Sequence, residues 1–345
     1  MAMGAELIEQ PNVGGKRGAR ILPLDKETAR AQVVRSYIFQ ELEEDARNPG
    51  DRSDIFPPDV DRFLRIVHTV SRAITFKDHE DFCNSCYRMS FEKIITNAST
   101  YTADAYVRDV LLLEGKVAIP PAKNIKSYVF GYPLQTQRNE GDIRYRVYLN
   151  PRPQHAVAVY RGLLDGNPPI VWSKLADHEL LITCRDALVV YVASGSALAE
   201  ILARLRSYQW DNSDHFFDEV PVMTKPADDL AGVGWAVDLP MTKGGGHVYA
   251  HWEAKGEEWQ RGRRWIMDGT SADVNLSHSQ WRSIFVLSAL RKSAKGDISA
   301  LRTELARIGD AAGLAPQAMF ARPTIGPELV TLLENELFPE VTSGS

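Results

Sequence analysis

Apolar residues recur at helical spacing in the first third of the chain and at strand spacing in the middle. Over residues 24–47, Val34, Ile38 and Leu42 repeat every four positions and Asp25 can cap the run, so the pattern predicts a helix that Asn48-Pro49-Gly50-Asp51 stops. Pro57-Pro58-Asp59 opens a second helix, with Phe63, Ile66, Val67 and Val70 on one face. Residues 80–125 carry a weaker period, and 107–113 fits helix or strand. From Lys126 the apolar runs shorten, and 128–131, 143–150, 170–174 and 180–192 predict strands. Residues 155–164 predict an amphipathic helix, and 196–210 another with Ser196 as its N-cap. Ser277-His278-Ser279-Gln280 fits a capping box ahead of a helix carrying Trp281, Ile284, Phe285 and Leu290. Further helices are expected at 298–308 and 328–338. The fold class is therefore α+β. Its parts are a flexible leader over 1–22, a mainly helical N-terminal region over 23–125 and a mixed strand/helix body over 126–345.

Composition narrows the classes. With 345 residues, 44% of them apolar, the chain can bury a core without disulfides or a structural metal. Lys plus Arg number 40 against 45 Asp plus Glu, and the net charge of −5 argues against a broad nucleic-acid surface while leaving room for a local basic pocket. No apolar run reaches the ~18 residues of a bilayer span, so no membrane partner is expected. Three cysteines, Cys83, Cys86 and Cys184, cannot build a disulfide framework, which makes a reduced, cytoplasmic setting the expectation.

Familiar motifs are missing or incomplete. No dinucleotide fingerprint, Walker A loop or nucleophile elbow occurs, and Gly244-Gly245-Gly246 lacks the Lys-Ser/Thr of a phosphate loop. Cys83-Asn84-Ser85-Cys86 lacks the second ligand pair of a zinc site and reads as two thiols on a helix. His247 and His251 are spaced for a metal on a helix, but the preceding glycines favour a strand, where His247, Tyr249 and His251 share a face. No metal site is expected, and His247 stands as a proton-handling candidate.

Cations on apolar strands carry more information. Period-two alternation puts Arg146, Tyr148 and Asn150 on one face of 144–150, and Arg185 and Tyr191 on one face of 185–191 with Ala187 and Val189. Lys174 ends the apolar run Pro169-Ile170-Val171-Trp172-Ser173. A cation there is costly to bury unless paired, with a carboxylate or with a ligand. Arg282 lies close to the first turn of the capped helix, where free N–H groups favour an anion. Several guanidiniums, a lysine and a helix N-terminus suit a phosphate dianion.

These segments fall in an order that resembles the HopA-type effector family: Arg146-Val147-Tyr148-Leu149-Asn150, the run from Pro169 to Lys174, the run from Arg185 to Tyr191, Pro221-Val222-Met223-Thr224 followed by Gly232-Val233-Gly234-Trp235-Ala236, and the run from Ser277 to Ser283. The family includes type III secretion effectors and proteins of class V lanthipeptide and thioamitide pathways. The resemblance spans about 128–292. The sequence departs from the pattern where Ser277-His278-Ser279 replaces the family's Ser-Phe-Gly, and in an insert near 242–276.

The resemblance implies a phosphothreonine-lyase-like fold. It also implies a β-elimination in which a separate kinase-like protein phosphorylates Ser or Thr of a precursor peptide and the lyase expels phosphate, without metal or cofactor. Lys174 is then the candidate base, Arg146, Arg185 and Arg282 the phosphate ligands, and Tyr148 and Tyr191 groups that orient the peptide or supply protons. His247 or His278 is the candidate acid. Three other readings remain open: a phosphopeptide-binding or kinase-scaffold module, a secreted effector acting on host proteins, and a structural protein whose arginines only make ion pairs.

Overall fold

The computed structural model of the chain describes residues 54–76, 79–82, 85, 100–113, 115–117, 128–131, 144–237, 278–293 and 297–323, with scattered positions between 32 and 47. Six antiparallel strands form one sheet: β1 (Tyr128–Gly131), β2 (Tyr145–Leu149), β3 (Ile170–Ala176), β4 (Leu188–Val192), β5 (Lys225–Pro226) and β6 (Val233–Val237). Their spatial order is β1-β3-β4-β2-β6-β5. The α-helices that accompany them include α1 (Pro58–Ala73), α2 (His79–Phe82), α3 (Ala103–Leu111), α4 (Ala156–Leu164), α5 (His178–Thr183), α6 (Gly195–Asp211), α7 (His278–Lys292) and α8 (Ile298–Ala311). The class is α+β, as the hydrophobic pattern predicts.

The central strands are buried because their sequence is apolar on both faces. All five residues of β4, Leu-Val-Val-Tyr-Val, are buried. On one face Val147, Leu149, Leu188, Val190 and Val192 join Ala156, Val159, Tyr160 and Leu163 of α4 and Leu198, Ile201 and Leu205 of α6 in the larger core. This side also fastens β3 from behind. Tyr160 hydrogen-bonds the Ser173 hydroxyl, and the Tyr106 hydroxyl donates to the Ala176 carbonyl at 2.9 Å. Lys174 lies between these two anchors on the opposite face of the strand.

A second core is helical. Val60, Phe63, Val67 and Val70 of α1 pack with Ile284, Phe285 and Leu287 of α7 and Leu301, Leu305 and Ile308 of α8. Pro58 at the first helical position and acidic Asp59 and Asp61 in the first turn suit the start of α1. Asp61, 1% exposed, accepts from Arg302 Nε at 2.7 Å and Nη2 at 2.9 Å, so a bidentate ion pair ties α1 to α8 across 241 residues. Arg65 approaches the same carboxylate at 3.6 Å.

Several boundaries differ from the sequence reading. The predicted strand over 180–192 divides into α5, a turn at 185–186 and β4. The cause is local: the Asp177 side chain accepts from the Leu180 amide at 2.9 Å and caps a short helix that takes up the first apolar residues. The N-cap of α6 is Ser194, which accepts from Ala197 N at 3.1 Å, and not Ser196. The ambiguous 107–113 stretch continues α3 as far as Leu111. The predicted helix at 328–338, the Cys83/Cys86 pair and the glycine run at 244–246 lie outside the described residues. No helix among the described residues is long and apolar enough to cross a membrane.

The ion pair between α1 and α8 gives a direct prediction. Asp61→Ala leaves Arg302 as a buried cation and should cost about 3–5 kcal/mol. Asp61→Leu combined with Arg302→Met should recover most of that loss, because the buried Arg302 charge is removed together with its carboxylate. Urea unfolding of the three proteins measures both effects.

Candidate active site

The register of the sheet builds the site. Lys174 pairs with Val189, Val189 with Tyr148, and Tyr148 with Gly234 across β3, β4, β2 and β6. The next row is Trp172, Tyr191, Arg146 and Ala236. Residues directly opposite one another share a face of a sheet, so Lys174, Tyr148, Trp172, Tyr191 and Arg146 stand together on the face away from α4 and α6. Lys174 and Tyr148 are two strands apart, about 10 Å between Cα atoms, and the two rows are about 7 Å apart along the strands. Tyr148, Tyr191, Val171, Val189 and Ala236 make an apolar floor beneath the polar ends.

Within the second row the side chains stack. Trp172 and Tyr191 have ring centroids 4.6 Å apart, and the Arg146 guanidinium lies 4.9 Å from the Tyr191 centroid. Tyr191 thus carries a cation on its π-system, which fixes the direction of Arg146. The chain from 220 to 224 lies over the first row. A Cβ on Gly234 would stand 2.6 Å from Thr224 Oγ1, so a glycine is required where the two segments meet. Thr224 Oγ1 is itself held, donating to the Pro221 carbonyl at 2.6 Å. Next to it Met223 adopts φ +62°, a left-handed conformation that costs a side-chain-bearing residue free energy.

The Met223 carbonyl accepts from His278 Nε2 at 3.1 Å. His278 begins α7, is 2% exposed and lies over Tyr148 with ring centroids 6.5 Å apart. Burial holds its pKa well below the ordinary imidazole value, and the charges of Arg282 and Arg146 push it the same way; the Met223 and Val237 carbonyls oppose this in part. The Nε2–H of His278 is therefore committed to the main chain at Met223. Nδ1 is buried without a hydrogen-bond partner.

Arg282 also differs from expectation. It is 1% exposed, with Nε donating to the Met319 carbonyl and Nη2 to the Ala321 carbonyl. The Nε–Nη2 edge of the guanidinium is thus occupied by main chain. Its structural effect is to fasten 319–321 beside the sheet, where Phe320 accepts from Val237 N at 3.0 Å and packs against the apolar floor.

Lys174 is 18% exposed, and its Nζ lies 3.7 Å from Asp186 Oδ2. Arg185, the neighbour of Asp186, stands in the turn before β4 and not in the strand. Its Nε is buried without a hydrogen-bond partner. Burial lowers the Arg185 pKa, Glu219 opposes this, Arg62 of α1 adds to it and Asp59 opposes it. The Glu219 main chain is held by Asn150, whose Nδ2 donates to the Glu219 carbonyl at 2.8 Å.

The structure thus gathers Lys174, Arg146, Tyr148 and Tyr191 on one face, with His278 and Arg282 over it and Arg185 at the turn beside Asp186. His247 lies outside the described residues. Asp186 and Trp172 are the additions. Trp172 was reachable from the same alternation that selects Lys174, whereas Asp186 became visible only through the turn. No group of three or more His, Cys, Asp or Glu that could hold a metal ion occurs among the described residues.

No protein-family model matches the chain, and no curated protein matches it in sequence. Among solved structures it is similar to an effector protein from Pseudomonas syringae pv. tomato strain DC3000, with 14% identity over 86% of this chain and 100% of that one at a TM-score of 0.46. It is similar to an effector protein from Pseudomonas syringae pv. syringae strain 61, with 11% identity over 85% of this chain and 99% of that one at 0.43. It is also similar to the type III effector/phosphothreonine lyase OspF from Shigella flexneri, with 13% identity over 50% of this chain and 88% of that one at 0.29. The α+β class rests on the elements described above.

The state of His278 makes stability depend on pH. Its folded pKa lies below the unfolded value of about 6.5, so folding favours the neutral ring. That contribution is complete above the unfolded value and is lost as pH falls from there toward the depressed folded value. Urea unfolding across this window should show the loss in the wild type and a shallower slope in His278→Gln. Equal slopes would mean that His278 is not the responsible group.

Proposed function

We propose that this protein is a lyase that eliminates phosphate from phosphoserine or phosphothreonine in a peptide. The observation that carries the reading is the register that sets Lys174, Tyr148, Arg146 and Tyr191 on a single sheet face. Arg185, with its unpartnered buried Nε, stands in the turn beside Asp186, the carboxylate that faces Lys174.

In this reading neutral Lys174 Nζ takes the α-proton. An N–H bond forms, the C–H electron pair becomes the Cα=Cβ bond, the Cβ–O bond breaks and phosphate leaves with its electron pair. Dehydroalanine results from phosphoserine and dehydrobutyrine from phosphothreonine. Arg146 and Arg185 bind the phosphate and stabilise charge as it collects on the leaving oxygen. Phosphate held by guanidiniums can depart as an anion, so the scheme needs no imidazolium at His278. Tyr148 and Tyr191 shape the floor, and Tyr191 aims Arg146. Arg282 acts at a distance by holding 319–321.

The substrate follows from the sequence resemblance: a ribosomal precursor peptide of the lanthipeptide or thioamitide kind, phosphorylated by a separate kinase-like protein. The chemistry calls for no cofactor.

Incubation with a synthetic phosphothreonine peptide, followed by mass spectrometry, tests the reading. Loss of phosphoric acid supports it. An unchanged mass with measurable binding makes the protein a phosphopeptide-binding module instead. Lys174→Ala should lower turnover by roughly 10²- to 10⁴-fold, the range of a general base, while peptide binding persists. Arg185→Ala should weaken phosphopeptide binding by about 1.5–3 kcal/mol, roughly 10- to 150-fold in Kd, the scale of a charged hydrogen bond. Titration of both variants by calorimetry checks the binding terms.

A further inference from the structure

Lys174 does not face its cleft alone. The Asp186 carboxylate lies 3.7 Å from Nζ, and the two side chains are similarly enclosed, at 17% and 18% exposed. The turn that carries Asp186 is fixed against β3 by the Ala176 amide, which donates to the Ala187 carbonyl at 2.8 Å. β3 is fixed in turn by Tyr160 on Ser173 and Tyr106 on Ala176. Carboxylate and amine therefore belong to two backbones locked together, although the lysine arm has four flexible carbons.

We propose that Asp186 is a positioning residue for Lys174: it aims the amine and stabilises the ammonium that forms when the α-proton is transferred. This rests on the lyase reading above. The geometry fits the task in two ways. At 3.7 Å the carboxylate exceeds direct hydrogen-bond distance, so it attracts the amine without occupying the direction from which a substrate proton arrives. The attraction also grows during the reaction. Once Lys174 has lost its proton the neutral amine gains little from the carboxylate, whereas the ammonium formed by proton transfer gains a Coulomb interaction in an enclosed site, so from the neutral amine onward the contact favours the transition state. The same contact favours the ammonium before substrate binds, so elimination should rise with pH as the amine is deprotonated.

The same carboxylate repels a phosphate dianion and contributes nothing to substrate binding. Its loss must therefore appear in kcat and leave KM unchanged or lower. A carboxylate that merely braced the turn would give a lower melting temperature with kcat retained per folded molecule.

The test is steady-state elimination from a phosphothreonine peptide by the full chain and by Asp186→Asn and Asp186→Glu, with melting curves for each. Asp186→Asn should lower kcat roughly 10- to 100-fold, the scale of misplacing a catalytic group by about 1 Å. KM should not rise, and Asp186→Glu should be faster than the Asn variant. If Asn fails to fold, Asp186→Ser reads the same split. A wild-type kcat in the Asn variant, a loss confined to KM, or a Glu variant as slow as Asn overturns the proposal while leaving the lyase reading in place. Absence of elimination by the wild type removes both.

Discussion

The pleat of three neighbouring strands is the constraint on which the site depends. Because successive side chains point to opposite faces, pairing β3, β4 and β2 in one register commits Ser173, Val190 and Val147 to the core with α4 and α6, and Lys174, Tyr191 and Arg146 to the other side. A slip of one residue would bury Lys174 and Arg146 among leucines and valines. The cost of burying unpaired cations makes such a slip prohibitive. The cations on this face thus also defend the register that gathers them.

The second layer is set by charge as much as by apolar packing. Asp61 and Arg302 join α1 to α8, and Arg282 fastens 319–321 beside β6. Both arginines are nearly inaccessible and both are matched by acceptors in fork geometry. They specify how the helices sit, because a helix displaced by one turn would leave a guanidinium buried without partners. The helical layer in turn brings His278 over Tyr148 and the Met223 carbonyl, closing one side of the sheet face.

Electrostatics along that face is graded. At one end Arg282 and Arg146 both disfavour a charged His278. At the other, Arg185 and Arg62 are offset by Glu219 and Asp59, and Lys174 by Asp186.

Sequence alone determined the parts that depend on local rules. Period-two alternation is a property of any extended chain, so the shared faces of Arg146 with Tyr148 and of Trp172 with Lys174 could be read directly, as could α1 from Pro58 and its apolar stripe. The order of motifs suggested a phosphate-handling chemistry for Lys174 and the arginines. What only the tertiary structure decided is where each charge finds its partner. Arg282 looked like an anion ligand because a helix N-terminus favours anions, yet carbonyls nearly 40 residues further on occupy its fork. His278 looked titratable near neutral pH, yet burial and two guanidiniums hold its pKa well below the ordinary imidazole value. Arg185 left its predicted strand because Asp177 caps a helix just before it. Asp186 gained meaning only when a turn placed it beside Lys174. Pairing and desolvation act between residues far apart in the chain, and no local pattern of residues encodes them.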